Sequence, residues 1–389
     1  MFKVRTYNAI SPLGLNRFGK DKYVVGADVA DPDAIILRSH KLHNEVIPDS
    51  VLAVGRAGAG VNNIPIADYS KRGIVVFNTP GANANAVKEL IAAALFLSSR
   101  DIFGGMSYVQ TLAHMTDGAE MSKQLEKEKK RFVGSELYGK TLGVVGLGAI
   151  GSMVANMALD LGMHVIGYDP AISVEAAWRL HSSVEKMDSL AALLGRSDYV
   201  TLHVPAIEAT RHLINQETLA QFKKGAKLLN FAREEIVDST ALQAALANGT
   251  LGGYTADFPV PGLIGAPNVL LMPHIGASTH EAEENCAMMA ADQLMDFLEN
   301  GNIKNSVNFP HASMTRSGGH RLTFSNDNVP KVLSNVLAIL SETNNNVIDL
   351  VNKSRDNLAY NIIDVEEKPS DDAIARIRAT EGVIQVRVL

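Results

Sequence analysis

TLGVVGLGAIGSMVANMALDLGMHVIGYD, residues 141–169, is the stretch that decides the fold. Residues 142–145 are apolar or small and predict a buried strand, and residues 149–161 predict a helix. A Gly-x-Gly-x-x-Gly turn lies between these two elements. A second predicted strand, residues 163–168, ends at Asp169. This order of strand, turn, helix and strand is typical of a βαβ unit in a parallel sheet.

The same turn predicts a nucleotide-binding site. Gly146 permits the bend, Gly148 lets the backbone approach a pyrophosphate, and Gly151 allows the helix to pack on the strand. The helix N-terminus offers N–H groups and a positive dipole to the phosphates. Asp169 lies 18 residues after Gly151, near the spacing of a ribose 2′-hydroxyl contact, and its charge favours NAD over NADP. The glycine pattern alone also occurs as a chance turn, but the flanking strands, the helix and the acid favour a dinucleotide.

The rest of the chain predicts two α/β lobes with parallel sheets. The turn begins only after residue 140, so a first lobe must precede it. A long helix over residues 278–301, with Ser278 and Glu281 in a capping-box pattern, returns the chain to that lobe. We therefore expect two lobes joined by two crossings, with a cleft between them. Further strands are predicted at 34–37, 52–54, 74–77, 199–204, 227–231, 253–258 and 269–272, and further helices at 86–99 and 240–247.

After a linker near residues 311–319 the chain changes its pattern. Strand, helix, strand, strand, helix and strand are predicted in this order, which is the βαββαβ order of a ferredoxin-like domain. The predicted bounds are 321–324, 329–341, 347–353, 358–366, 371–379 and 383–389. The fold class is therefore α/β, with two flavodoxin-like or Rossmann-like lobes and a C-terminal ferredoxin-like domain. The domains are expected at 1–88 with 283–310, at 89–282 and at 318–389.

Composition excludes several classes of protein. The 389 residues are 46% hydrophobic, and the net charge of −6 leaves no basic stripe for nucleic acid or anionic lipid. The single cysteine, Cys286, cannot form an internal disulfide, and no Cys/His spacing suits a zinc site, so no metal is expected. No apolar run reaches the roughly 18 residues of a membrane span, and the N-terminus lacks a signal-peptide core. We expect a protein of the reducing cytoplasm without a nucleic-acid or membrane partner.

Three more segments follow predicted strands and are expected at the ligand-binding carboxyl edge of a sheet. They are VGRAGAGVNNI at 54–64, LLNFAREEIVD at 228–238 and LLMPHIGAST at 270–279. Arg233 would hold a carboxylate by forked hydrogen bonds, and His274 would accept a hydroxyl proton as hydride leaves for a nicotinamide. Each residue alone is also explained as a surface or capping side chain. Together with the dinucleotide turn, they indicate oxidation of a 2-hydroxy acid.

These segments carry a family resemblance. The chain resembles the D-isomer-specific 2-hydroxyacid dehydrogenases through GRAGAGVNNI, RFVGSELYGKTLGVVGLGAIG, IGYDP, NFAREEIVD and PHIGAST. Residues 320–389 resemble an ACT domain, which is a regulatory module. The resemblance implies an NAD-dependent enzyme that acts on a small phosphorylated 2-hydroxy acid. It also implies assembly as a homodimer or homotetramer.

The resemblance implies roles for individual residues as well. Arg233 binds the substrate carboxylate, His274 is the acid and base, and Arg56, Ala57 and Gly58 border the substrate. The candidates for further positive charge at a phosphate are Lys41, Arg72 and the run 129–131, for which a solvated helix face is the other interpretation. The positions that contact the cofactor are Thr79, Gly146, Gly148, Ala149, Ile150, Gly151, Asp169, Val204, Phe231, Ala232, Asp257, His274, Gly276 and Ala277.

One position departs from the family. The family places a Glu four or five residues after the acid found here at Asp257, and that Glu orients the histidine. Pro261 and Gly262 stand at those positions, and no Asp or Glu occurs between Asp257 and Glu281. Three alternatives stay open. Another carboxylate takes the place of this Glu in space, or the histidine works without a carboxylate, or the activity is low. The acidic pair 234–235 is the nearest candidate in sequence, and its other interpretation is exposed turn charge.

The tail and the activity each leave alternatives open. ACT domains bind small amino acids where two copies pair, and Asn328 and Asn346 match positions that hold L-serine in relatives. A purely dimerising tail is the other interpretation. For the activity, one alternative is a reductase of glyoxylate, hydroxypyruvate or 2-oxoglutarate. Another is an NAD-binding regulatory protein with a decayed active site.

Overall fold

The computed structural model describes all 389 residues, which form two compact units. The discontinuous unit consists of Met1–Asn83 and Thr279–Leu389, and the central unit is Ala84–Ser278. The strands are β1 Phe2–Thr6, β2 Tyr23–Gly26, β3 Ala34–Leu37, β4 Ala53–Arg56, β5 Val75–Phe77, β6 Thr141–Val145, β7 His164–Tyr168, β8 Glu185–Lys186, β9 Tyr199–Leu202, β10 Ala226–Asn230, β11 Leu251–Ala256, β12 Val269–Leu271, β13 His320–Asp327, β14 Val347–Arg355, β15 Leu358–Val365 and β16 Val383–Val388. The helices are α1 Pro12–Leu15, α2 Ile66–Lys71, α3 Ala84–Ser99, α4 Ile102–Thr111, α5 Gly118–Glu128, α6 Ala149–Asp160, α7 Val174–Ala177, α8 Leu190–Arg196, α9 Gln216–Leu219, α10 Ser239–Ala247, α11 His280–Asn300, α12 Val332–Glu342 and α13 Asp371–Arg378.

The discontinuous unit contains a five-stranded parallel sheet. Its strands lie in the flavodoxin-like order β2-β1-β3-β4-β5. The central strand β3 is buried along its whole length, because elements cover both faces of a parallel sheet. Helix α11 returns to this sheet, and its Ala290, Leu294 and Phe297 lie in one core with Phe77 of β5. The predicted first lobe and the returning helix are both confirmed.

The central unit contains a seven-stranded parallel sheet in the order β12-β11-β10-β9-β6-β7-β8. Strand β6 pairs with β7 on one side and with β9 on the other, so the strand order reverses between β6 and β9. Connections on the two sides of such a switch point run in opposite directions and leave a crevice at the carboxyl edge. The glycine-rich turn follows β6, so it begins at this switch point. The predicted Rossmann-like sheet is confirmed.

The tail forms an antiparallel sheet in the order β14-β15-β13-β16, with α12 and α13 as its helices. The predicted βαββαβ order is confirmed. Tyr360 and Ile362 of β15 belong to the same hydrophobic core as Phe309 and the sheet of the first lobe. Because of this shared core, the tail and the lobe form one compact unit. The unit borders lie at 83/84 and 278/279, a few residues before the predicted borders at 88/89 and 282/283.

Two predicted helix starts are wrong. Helix α11 is capped by Thr279 and not by Ser278, since the Thr279 hydroxyl accepts the backbone N–H of Ala282 at 3.1 Å. Its predicted end is confirmed, because Gly301 adopts the left-handed conformation that ends helices. Helix α12 begins at Val332 and not at 329, because Lys331 at its N-cap has φ +75°. A helix cannot continue through that conformation.

Three arginines of the linker and tail bind the end of α11. The last four carbonyls of a helix have no partner within it. Side chains of Arg316, Arg321 and Arg387 donate to the last four carbonyls of α11, at 2.7–3.1 Å. The Arg387 guanidinium also lies 4.6 Å from the ring centroid of Phe297. These cations complement the negative end of the helix dipole and attach the tail to α11.

Arg321 also forms an ion pair inside the discontinuous unit. Its guanidinium donates to both carboxylate oxygens of Asp364, at 2.6 and 2.8 Å, and both side chains are almost fully buried. The backbone N–H of Ser317 donates to the same carboxylate at 2.9 Å. Burial opposes ionisation of Asp364, but the hydrogen bonds from Arg321 and Ser317 outweigh it and hold the pKa of Asp364 below its usual value. The pair fixes the start of β13 against β15 and the end of α11.

No single helix of the chain is both long and apolar enough to cross a membrane. The pair Ala84–Ser99 and Ile102–Thr111 reaches that length and composition only together, across a 67° bend.

We predict that Asp364→Asn lowers the free energy of unfolding by about 3 kcal/mol at pH 7, because it leaves the buried Arg321 cation without its counter-ion. The lowered pKa of Asp364 adds stability above the ordinary carboxyl pKa and loses it as pH falls through the folded-state value. The difference between variant and wild type should therefore shrink below about pH 4. Urea unfolding between pH 3 and 7 measures it.

The matched control is Glu185→Gln, which breaks the exposed pair of Glu185 with Arg196. We expect this control to cost far less than Asp364→Asn at any of these pH values, because water solvates both partners of an exposed pair. Equal costs for the two variants would contradict the assigned role of the buried pair.

Candidate functional site

The glycine-rich turn brings α6 close to the end of β6. Gly146 has φ +87°, a conformation that other residues rarely adopt, and its N–H donates to the carbonyl of Tyr168 on β7 at 2.9 Å. A Cβ on Gly151 would overlap the carbonyl oxygen of Gly146. Glycine at 151 therefore lets the first turn of α6 lie directly on the turn, as the sequence predicts.

The N-terminus of α6 has the properties that a pyrophosphate requires. Gly148 is the N-cap, and no side chain caps the helix there. No atom lies within 4 Å of the position of a Cβ on Gly148, so the space above it is open. Ala149, Ile150 and Gly151 form the first turn, where helix N–H groups have no partner within the helix. The turn and the helix end fit the phosphates of a dinucleotide.

Asp169 lies beside the same turn, just beyond β7. One of its carboxylate oxygens accepts the backbone N–H of Leu147 at 2.8 Å, and the other accepts that of Ala171 at 2.9 Å. The carboxylate thus holds the glycine-rich turn in place and keeps lone pairs for a ribose hydroxyl. The sequence predicts the ribose contact, but the contact with Leu147 was not predicted and has no signal in the spacing.

Asn230, which the sequence analysis missed, builds the turn that carries Arg233. Asn230 ends β10 and is fully buried. Its side-chain oxygen accepts the N–H of Ala232 at 3.2 Å, and its amide donates to the carbonyl of Arg233 at 2.9 Å. The Arg233 guanidinium in turn donates to the carbonyl of Ala232 at 2.7 Å. A buried asparagine between an apolar strand and a charged turn was the available signal.

Asp257 holds the segment that carries His274. It is 2% exposed, and one carboxylate oxygen accepts the N–H of Gly276 at 2.9 Å. Its backbone carbonyl accepts the N–H of His274 at 2.8 Å. Its second carboxylate oxygen is buried without a partner, which leaves an acceptor for a ligand amide. Burial raises the pKa of Asp257, against the lowering influence of Gly276, His274 and Arg233.

Phe258, which was also not predicted, is near both Arg233 and His274. The His274 and Phe258 ring centroids are 4.6 Å apart at an interplanar angle of 45°. The Arg233 guanidinium carbon lies 6.0 Å from the centroid of the same phenyl ring. The structure thus brings the predicted carboxylate-binding and proton-accepting residues within about 6.0 Å of one aromatic ring.

No carboxylate forms an ion pair with His274 in place of the Glu that is absent from the sequence. Pro261 and Gly262 lie in the short 3₁₀ helix Pro261–Leu263. The only histidine that forms an ion pair is His40, with Glu45. Of the predicted acidic pair, Glu234 and Glu235 are exposed and neither pairs with His274. Of the three alternatives for the missing Glu, a carboxylate in an ion pair with His274 is not seen here, and Asp257 is an acid that interacts with His274 electrostatically.

The remaining predicted cofactor positions of the central unit lie at the carboxyl edge of its sheet. Val204 follows β9, Phe231 and Ala232 follow β10, and Ala277 lies in the segment after β12. Phe231 is buried, and the other three are partly exposed. Their contact with a cofactor stays a prediction.

The predicted substrate residues Arg56, Ala57 and Gly58 and the cofactor position Thr79 lie in the discontinuous unit. Arg56 ends β4, its Nε donates to the carbonyl of Arg38 at 3.2 Å, and its guanidinium lies against Gly58. The N–H of the buried Thr79 donates to the carbonyl of Gly58 at 3.1 Å. These residues therefore form one local cluster.

The other candidate cations are mostly engaged elsewhere. Arg72 donates to the carbonyls of Ile47 and Pro48 and pairs with Asp49. In the run 129–131, the first and last residues form ion pairs on the surface of their own helical segment. The structure thus supports the solvated-face interpretation of this run.

The two predicted effector residues lie at opposite ends of the tail sheet. Asn328 follows β13 and its amide donates to the carbonyl of Asp356, whereas Asn346 precedes β14 and its amide donates to Glu366. The register places Asp327 opposite the start of β15 and Val347 opposite its end. That separation is roughly 24 Å by the rise of a strand. One chain cannot bring both side chains to one small amino acid.

We predict that Asp169→Asn lowers the preference for NAD over NADP, measured as the ratio of dissociation constants, by a factor of about ten or more. The substitution removes the charge that repels a 2′-phosphate. Asparagine keeps an acceptor for Leu147, so the turn should stay intact. Calorimetric titration with NAD⁺ and NADP⁺ measures both dissociation constants. The exposed Asp188→Asn in the same unit is the control, and an unchanged ratio in Asp169→Asn would refute the ribose contact.

Comparisons with known proteins agree with this geometry. Residues 106–276 match the family of the D-isomer specific 2-hydroxyacid dehydrogenases, NAD binding domain. The chain is 38% identical over 291 residues to D-3-phosphoglycerate dehydrogenase of Synechocystis sp., covering 72% of this chain and 50% of the relative. It is 33% identical over 378 residues to D-3-phosphoglycerate dehydrogenase of Escherichia coli, covering 93% of this chain and 88% of the relative.

A solved structure, the NAD⁺-bound 3-phosphoglycerate dehydrogenase of Entamoeba histolytica, is 26% identical with a TM-score of 0.60. The match covers 79% of this chain and 98% of that one. This chain spans about half the length of the Synechocystis relative but most of the Escherichia coli relative. The chain belongs to the D-isomer specific 2-hydroxyacid dehydrogenase family.

Proposed function

We propose that the chain oxidises D-3-phosphoglycerate to 3-phosphohydroxypyruvate with NAD, the first step of L-serine biosynthesis. The observation that carries this proposal is the placement of Arg233 and His274 beside the same Phe258 ring, in the unit that holds the dinucleotide turn. The names of the relatives, D-3-phosphoglycerate dehydrogenase, support the choice of substrate.

In the proposed reaction Arg233 binds the substrate carboxylate through two parallel N–H···O bonds, which fix its orientation. An imidazole nitrogen of His274 accepts the proton of the 2-hydroxyl as the hydroxyl becomes a carbonyl. When bound, NAD supplies the acceptor for the hydride that leaves the substrate carbon. Asp257 holds the His274 segment through two hydrogen bonds, so the imidazole needs little reorganisation for each turnover.

The phosphate of the substrate requires positive charge beyond Arg233. We assign this role to Arg56, which the family resemblance places at the substrate. Among the further candidates the exposed Lys41 stays open, because Arg72 is engaged by carbonyls and Asp49, and the run 129–131 pairs within its own segment. Arg56→Gln should therefore weaken use of the phosphorylated acid more than use of an unphosphorylated one.

The alternative within the same enzyme class is a reductase of glyoxylate, hydroxypyruvate or 2-oxoglutarate. A 26% identical solved structure is a D-mandelate dehydrogenase, so this fold accepts acids without phosphate. Steady-state rates with D-3-phosphoglycerate and with each of these acids separate the two. A higher kcat/KM for an unphosphorylated acid would contradict the proposed substrate.

We predict that Arg233→Lys lowers kcat/KM for the hydroxy acid about 100-fold, or about 3 kcal/mol, because a point charge does not reproduce the forked contact. The exposed Arg196→Lys in the same unit is the control and should keep the wild-type value. Nearly full efficiency in Arg233→Lys would mean that Arg233 does not bind the carboxylate. If the wild type bound NAD but converted none of these acids, the result would favour the other alternative, an NAD-binding regulatory protein with a decayed active site.

For the tail we propose an L-serine site formed by two copies of the chain. Asn328 and Asn346 carry amides that suit an ammonium and a carboxylate alike. They lie at opposite ends of the sheet in one chain, so Asn328 of one copy and Asn346 of another would have to face the same ligand. The site thus requires at least a homodimer, and a homotetramer also provides it.

We predict that L-serine binds the full chain and lowers its activity, with a coupling free energy of about 1–3 kcal/mol. Calorimetry and rates measured over millimolar serine test it. Asn346→Ala should abolish both effects, and Asn335→Ala on the exposed face of α12 should change neither. No heat and no inhibition in the wild type would leave the tail an assembly element.

A further inference from the structure

The imidazole of His274 is held by very few contacts. Its backbone is fixed, because the His274 N–H donates to the carbonyls of Asp257 and Met272 and the residue has φ +51°. Its side chain is exposed and forms neither an ion pair nor a hydrogen bond with another side chain. The packed ring of Phe258, at 4.6 Å between centroids, is its aromatic neighbour. The Phe258 ring is therefore the side chain that packs against the imidazole, and the Asp257 carboxylate interacts with the imidazole only electrostatically.

The same ring is within reach of Arg233. The guanidinium carbon lies 6.0 Å from the Phe258 centroid, at the outer limit of a cation–π contact. Asn230 fixes the backbone on which Arg233 stands, but the guanidinium itself donates only to the carbonyl of Ala232. Most of its five donors thus stay available for a substrate carboxylate.

An aromatic side chain suits this position better than an acid in one respect. A carboxylate between a guanidinium and an imidazole would form an ion pair with the guanidinium and compete with the substrate carboxylate. The face of a phenyl ring attracts the guanidinium weakly, packs against the imidazole and offers no oxygen to bind either group. The half-buried Phe258 can therefore orient both groups and leave their hydrogen-bonding sites to the substrate.

We propose that Phe258 is the positioning residue that orients His274 and Arg233 for the reaction. This inference rests on the proposed function, since it concerns the two residues to which that function assigns the substrate. The role is carried by the aromatic face and not by apolar bulk. A residue of equal bulk without a ring should fail to replace it, and another ring should succeed.

The test compares Phe258→Leu with Phe258→Tyr in the full chain. Loss of the ring should lower kcat for the 2-hydroxy acid about tenfold and raise its KM, because both positioned groups lose their support. The KM for NAD should stay within about twofold, because the glycine-rich turn is untouched. Phe258→Tyr should recover most of kcat. The matched control is Phe222→Leu, which removes a buried ring from the core of the same unit away from these residues.

A second readout does not depend on turnover. In a chain labelled with ¹³Cε1-histidine, the His274 resonance is the one absent from His274→Gln. Phe258→Leu should move this resonance, because the ring current of a phenyl ring at 4.6 Å is removed. Phe222→Leu should leave it in place.

The outcomes distinguish failure of the positioning role from failure of the proposed function. Wild-type kcat and KM in Phe258→Leu, or failure of Phe258→Tyr to recover kcat, would overturn the positioning role while the dehydrogenase activity stands. A wild type that oxidises none of the acids would overturn the proposed function. In that case the His274 resonance still tests whether the Phe258 ring packs against the imidazole. An unmoved His274 resonance in Phe258→Leu overturns the inference.

Discussion

The close contact between α6 and the end of β6 is the constraint on which the candidate site depends. Because Gly151 has no Cβ, the first turn of α6 lies directly on the carbonyl of Gly146, and the helix N-terminus opens at the switch point of the sheet. The carboxylate of Asp169 then fixes the turn through Leu147. Parallel strands on both sides end at the same edge, and they deliver Arg233 and His274 there. A larger residue at 151 would displace the helix and remove the anion-binding end from the sheet.

A second constraint joins the C-terminal tail to the first lobe. The last carbonyls of α11 accept hydrogen bonds from three arginine side chains, those of Arg316, Arg321 and Arg387. Arg321 also forms a buried ion pair with Asp364. Carbonyls that would otherwise need water are thus bound by side chains from the linker and tail. The tail shares a hydrophobic core with the lobe. A signal received by the tail would therefore act on a body that already includes α11.

No acid forms an ion pair with His274, and this changes how the site works. A paired carboxylate would orient the imidazole and also favour its charged form. Here the Phe258 ring, which carries no oxygen, contacts the imidazole, and the same ring approaches Arg233. The backbone hydrogen bonds from the His274 segment to Asp257 supply the remaining order. The site therefore combines a fixed backbone with an aromatic support for two polar side chains.

The sequence by itself determined the βαβ unit around Gly146–Gly151, the βαββαβ tail and most strand positions, because glycine spacing and apolar runs are local signals. It also indicated Arg233, His274 and Asp169, since each directly follows an apolar strand. It missed β1 and β2, whose mixed and short patterns bury few residues. Only the tertiary structure decided the capping of α11 by three distant arginines, the hydrogen bonds of Asn230, and the approach of Arg233 and His274 to one Phe258 ring. These contacts join segments that the fold alone brings together, so no local pattern of residues records them.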